Sequence, residues 1–76
     1  MEYIGGFKVF DADAVEIENL IDWNNESFGR GVSLPVDYEI FQEGADVIVY
    51  VYGNKLSAVD AIISWVEDEG YEVFGV

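Results

Sequence analysis

The chain has 76 residues, sixteen of them acidic and three basic (Lys8, Arg30 and Lys55), with no histidine and no cysteine, and its net charge is −13. That balance argues against direct attachment to DNA, RNA or an anionic membrane, which depends on cationic contacts to phosphate. Without cysteine or histidine, disulfide staples, thiolate-bound metals and the usual nucleophile–base pairs of hydrolases are unavailable.

A hydrophobic content of 51% and a positive mean hydropathy place the chain with folded proteins rather than acidic disordered tails. No apolar run approaches the roughly 18 residues of a membrane span. The start, Met1-Glu2-Tyr3-Ile4-Gly5-Gly6, lacks the basic region of a signal peptide. The expectation is one soluble, cytoplasmic domain over residues 1–76. Its stability margin is thin, because so short a chain buries a small fraction of its surface.

In chain order, Tyr3 to Phe10 reads as a first strand, with Gly5-Gly6 marking a bulge or a close backbone approach. Asp13 followed by Glu16 matches a capping box. Ala14, Ile17, Leu20 and Ile21 then recur at helical spacing, with Val15 and Trp23 widening the stripe, and the helix is expected to end near Asn24-Asn25. Glu26 to Pro35 reads as the one long irregular connection. Its Gly29-Arg30-Gly31 centre would let backbone amides approach an anion, but a plain connection accounts for it.

The centre of the chain is a hairpin. Val36 to Phe41 alternates, with Val36, Tyr38 and Ile40 on one face and Asp37, Glu39 and Phe41 on the other. Val47 to Tyr52 is apolar on both faces, as in an interior strand covered on both sides, and Gln42 to Asp46 forms the break. A turn at Gly53-Asn54-Lys55 leads to a second capping box, Ser57 with Asp60, where Leu56 would begin a hydrophobic staple. Val59, Ile62, Ile63 and Val66 form the buried stripe of the second helix, with Ala58, Ala61 and Trp65 beside it. Gly70 is its C-terminal cap. Tyr71 to Val76 is the last strand.

Strand, helix, strand, strand, helix, strand resembles the ferredoxin-like, split βαβ arrangement. That implies an α+β domain whose four-stranded antiparallel sheet carries both helices on one face. Many unrelated functions share this topology. If the helices cover the Val47, Val49 and Val51 side, then Ile48, Tyr50 and Tyr52 lie on the open face with Phe10, Phe41 and Phe74. In RNA-recognition domains such aromatics stack on bases. Here Asp37 and Glu39 would repel phosphate, so a protein interface or a dimer seam is expected instead.

No cofactor, metal site or catalytic residue is assigned. An EF-hand loop starting at Asp11 would place Glu16 where its glycine is required. Paired carboxylates can act as acid and base, but they need a cleft that 76 residues leave little volume to build.

Many carboxylates stand where folding disfavours them. Glu67, Asp68 and Glu69 crowd the end of the second helix, where the macrodipole favours cations. Glu18, Asp22 and Glu26 recur at i, i+4 along the first, and each such placement costs about a few tenths of a kcal/mol. Retention of several in a thinly stabilised domain gives the negative surface a use. A solubility surface or a high-salt habitat is the plain alternative.

Carboxylates one turn apart lie roughly 5–6 Å apart at Cβ, comparable to successive phosphates on a strand. In size, acidity, aromatic content and lack of cysteine the chain resembles the small phage-encoded anti-defence proteins. These include anti-CRISPR proteins and DNA-mimicking inhibitors of restriction or repair enzymes. The resemblance is one of type, with no family motif to map. It implies a protein-binding inhibitor, working in the host cytoplasm if phage-encoded, whose partner is a basic nucleic-acid-binding protein such as a CRISPR, restriction or repair enzyme. Glu18, Asp22, Glu26, Glu67, Asp68, Glu69 and Glu72 would supply charge, and Tyr50, Tyr52 and Trp65 would be anchors. Asp22→Lys with Glu26→Lys should then abolish inhibition without unfolding the domain. The alternatives are a small ligand-binding regulatory module that dimerises through its sheet, and a structural subunit.

Overall fold

The computed structural model describes residues 2–29, 36–53 and 56–75, with the backbone alone for residues 25–29 and 36. Six elements follow in order: β1 (Glu2–Phe10), α1 (Ala14–Gly29), β2 (Val36–Glu43), β3 (Asp46–Gly53), α2 (Ser57–Asp68) and β4 (Glu72–Gly75). The strands form one antiparallel sheet in the order β2-β3-β1-β4. With both helices on one face, this is the ferredoxin-like α+β fold that the element order implies.

The core lies between that face and the helices. Phe7 and Val9 of β1 and Val47, Val49 and Val51 of β3 meet Ile17 and Ile21 of α1 and Ile62 and Val66 of α2, all buried. These residues sit at the two periods that strands and helices impose, which is why the sequence pattern finds them. β3 is interior, but helices cover it on one side only. Its Ile48, Tyr50 and Tyr52 are half-buried, with Tyr3 packed against both tyrosines and Phe41 against Tyr50.

Both readings of Gly5-Gly6 hold. The register between β1 and β3 slips between Tyr3 and Gly5. A Cβ on Gly6 would stand 3.0 Å from the Val49 carbonyl oxygen and 3.1 Å from both Tyr3 Oη and Tyr50 Cδ1. Gly6 therefore lets two tyrosine rings fold over the middle of the sheet.

Several boundaries differ from expectation. The hairpin break shrinks to Gly44 and Ala45, because Glu43 still pairs with Asp46 and Gly44 takes a φ of 63° at the first turn position. α1 runs past Asn24 to Gly29, with the Asn24 side-chain amide donating to the Leu20 carbonyl at 2.8 Å. Glu26 to Gly29 are thus helical, and residues 30–35, with the Arg30 site of the anion reading, lie outside the described residues. So do Asn54 and Lys55 of the expected turn, and Val76 of the last strand.

The two helix starts behave differently. Asp13 caps α1, its Oδ1 accepting from the amides of Val15 at 2.9 Å and Glu16 at 3.4 Å. The expected box at Ser57 is displaced, since Ser57 is the first residue of α2 and the cap position falls to Leu56, which makes no side-chain cap. Leu56 is 71% exposed rather than stapled. Gly70, at φ 96°, ends α2 with its amide on the Glu67 carbonyl at 2.9 Å.

Candidate functional site

The topology gathers charge at one end. There β1 finishes, the hairpin turns, α1 starts, α2 finishes and β4 starts. The register fixes this, pairing Phe10 with Glu72 and Glu43 with Asp46, and the Ala12 amide donates to the Ala45 carbonyl at 2.9 Å. Carboxylates come from four of these places: Asp11, Asp13 and Glu16 around the start of α1, Glu43 and Asp46 at the hairpin, Glu67, Asp68 and Glu69 at the end of α2, and Glu72 on β4. More than half of the acidic residues therefore share one end. The α2 dipole presents its negative pole there, with no basic residue in its last turn.

One cation among the described residues reaches this end. Lys8 Nζ lies 3.4 Å from Glu43 Oε1 and 3.9 Å from Asp46 Oδ2. Exposed pairs of this length contribute little to stability, but they leave Lys8 already balanced by two carboxylates. The acidic residues also build the frame. Asp46 Oδ1 accepts the Asp11 amide at 3.0 Å, holding Asp11 at φ 52°. Glu16 Oε2 accepts the Tyr71 hydroxyl at 3.0 Å, and burial followed by that hydrogen bond raises the Tyr71 pKa. Among the described residues no group of three or more acidic side chains could hold a metal ion.

The expected site residues fall in four places. Glu67, Asp68, Glu69 and Glu72 join the acidic end, all exposed. Glu18 and Asp22 lie along α1 and are exposed, and Glu26 is in its last turns. Asp22 is not simply displayed, since its carboxylate accepts the Tyr38 hydroxyl and ties α1 to β2. Charge reversal there removes a tertiary contact as well as a charge.

Tyr50 and Tyr52 lie on the opposite side, on the sheet face away from the helices. Tyr3 packs between them, with centroids 6.1 Å from Tyr50 and 5.9 Å from Tyr52, and Phe41 meets Tyr50 at 5.8 Å. Phe10 and Phe74 continue the surface at 6.5 Å. Asp37, Glu39, Glu43 and Glu72 rim this apolar floor by their register. Tyr52 donates to Glu39 Oε1 at 2.7 Å, and that hydrogen bond is the main cause of its raised pKa. Trp65 is half-buried and packs against the core cluster.

Trp23 is the residue the sequence misplaces. Read as part of the apolar stripe, it is 66% exposed, and Val15, two turns earlier on α1, is exposed as well. Trp23 stands in a groove of about 330 Å³ with Glu16, Asn19, Leu20 and Asn24 of α1 and Glu69 after α2. A second groove, of about 340 Å³, opens at the same end between Phe10, Asp11, Gly70, Tyr71 and Glu72. The period of α1 could not reveal this, because the angle at which the helix meets the sheet decides which flank of a wide stripe is covered.

Among the described residues no helix is long and apolar enough to cross a membrane. No family model, no curated protein and no solved structure matches the chain.

Proposed function

We propose that the chain is a protein-binding inhibitor, not an enzyme, whose acidic end occupies the cationic groove of a nucleic-acid-handling protein. This is the mode of the anti-CRISPR and DNA-mimic proteins it resembles, and its place of action would be the host cytoplasm. One observation carries the reading: four separate parts of the fold bring carboxylates to one end, where Lys8 is the one cation among the described residues. A rigid frame loses little entropy on binding, and a focused negative field speeds encounter with a basic partner.

The test is affinity capture from lysate of the encoding organism or its host, at low and high salt, with and without competing DNA. A nucleic-acid-binding protein displaced by both, and inhibited by the purified chain, supports the proposal. A partner that neither salt nor DNA displaces sinks it.

The open aromatic face supports a second reading, a regulatory module that dimerises through its sheet. Against it stand Asp37, Glu39, Glu43 and Glu72, since stacking two copies would set one acidic rim on another. Sedimentation across a concentration series, with a metabolite thermal-shift screen, separates the two: a dimer stabilised by a small ligand favours this second reading.

A further inference from the structure

We infer that the groove between α1 and the end of α2 receives a guanidinium side chain of the basic partner. The inference rests on the proposed reading of the acidic end and names the chemistry of one subsite within it. Trp23 lines this shallow groove, and it is the large aromatic most exposed among the described residues. Leu20, half-buried against the core, supplies an apolar floor. Glu16 and Glu69 bring carboxylates from two different elements to the same groove.

Each part suits arginine. The planar guanidinium stacks on an indole face and pairs with carboxylates, while its aliphatic stem covers apolar surface. Lysine offers a compact, strongly hydrated charge that stacks less well. Asn24 has its side-chain amide nitrogen committed to the Leu20 carbonyl, so its amide oxygen remains as an acceptor at the groove. Glu16 accepts from Tyr71 through Oε2 and keeps Oε1. The groove therefore combines aromatic, apolar and acceptor surfaces, and no cationic side chain lines it among the described residues. An exposed tryptophan beside acceptors is also the composition of an interface anchor.

The probe is a capped peptide of alternating arginine and glycine, titrated into isotopically labelled protein beside its citrulline and lysine counterparts. Amide and indole N–H resonances are followed by NMR. The arginine peptide should shift the Trp23 indole N–H and the amides of Asn19, Leu20 and Glu69, and the neutral citrulline peptide should not. The lysine peptide should bind about tenfold more weakly at these resonances. Trp23→Ala should weaken the arginine peptide by about tenfold. Glu69→Gln should weaken it too, and relieving a negative charge at a helix C-terminus does not endanger the fold.

If the arginine peptide shifts resonances elsewhere on the acidic end and Trp23→Ala binds as tightly as wild type, the groove is overturned and the acidic-end reading stands. Equal affinity for the lysine peptide at Trp23 overturns the choice of guanidinium. If no cationic peptide binds at all, both proposals fall.

Discussion

The side-chain oxygen of Gln42 accepts the backbone amide of Ala14 at 2.8 Å, so a hairpin residue caps the first turn of α1. Its nitrogen lies 3.0 Å from the carbonyls of Ala12, Gly44 and Asp46, locking the β1–α1 connection to the hairpin turn. Gln42→Ala should lower stability by about 1–2 kcal/mol in urea unfolding, since one side chain serves several backbone groups. Gln42→Glu keeps the acceptor but turns a second oxygen on three carbonyls, and should be at least as damaging.

The adjacent glycines should separate sharply. Gly6→Ala sets a methyl 3.0 Å from the Val49 carbonyl oxygen, which belongs to the sheet and cannot swing away. A loss of about 1–3 kcal/mol is expected. At Gly5 the nearest atom is Val59 Cγ2 at 3.3 Å, a side-chain methyl that can yield. Lower unfolded-state entropy then offsets part of the crowding, and Gly5→Ala should stay within about 1 kcal/mol of wild type. Equal losses in denaturant unfolding would contradict the distinction.

Charge reversals should divide by position. Asp22→Lys removes the acceptor of the Tyr38 hydroxyl and should destabilise by about 1–2 kcal/mol. Glu18→Lys, on the same helix, replaces a like-charge i, i+4 pair with an opposite one and should stabilise by about 0.2–0.5 kcal/mol. Asp68→Lys complements the α2 dipole and should add about 0.3–1 kcal/mol while weakening capture of a basic partner. A variant that folds better and binds worse is the signature of charge kept for function.

Alkaline titration should find Tyr52 and Tyr71 late. Both pKa values are raised above 10.0, Tyr52 first by its bond to Glu39 and Tyr71 first by burial. The favoured species is the neutral phenol that donates to a carboxylate. Its stabilisation is fully present below the unfolded pKa and is lost as pH rises through the raised folded value. Tyrosinate absorbance should lag that of the unfolded chain, and Tyr71→Phe should remove one lagging group.

Salt should stabilise the isolated domain. With a net charge of −13 and most acidic residues crowded at one end, screening relieves repulsion in the folded state more than in the expanded chain. The thermal midpoint should rise with sodium chloride, while association with a basic partner weakens.

Local chemistry made much of this legible from the residues. The period of two sorts β3 into its two faces, 3.6-residue spacing marks Ile17, Ile21, Ile62 and Val66, and Asp13 and Gly70 announce helix ends through groups within a turn of themselves. Where an outcome depended on distant partners, local pattern was insufficient. Asn24 and Asn25 look like a helix stop, yet the helix continues over them. Ser57 looks like a cap, yet it is the first residue of the helix and Leu56 takes the cap position.

By itself, then, the sequence determined an acidic α+β domain, the order of its elements and the buried positions of Ile17, Ile21, Ile62 and Val66. Periodicity and net charge are properties of neighbours and of sums, and both survive without a fold. Only the tertiary structure decided which sheet face the helices cover, that carboxylates from four parts of the fold meet at one end, that Asp22 holds a strand, and that Trp23 lines a surface groove rather than the core. These depend on which chain ends the sheet brings together and on how each helix is rotated against it.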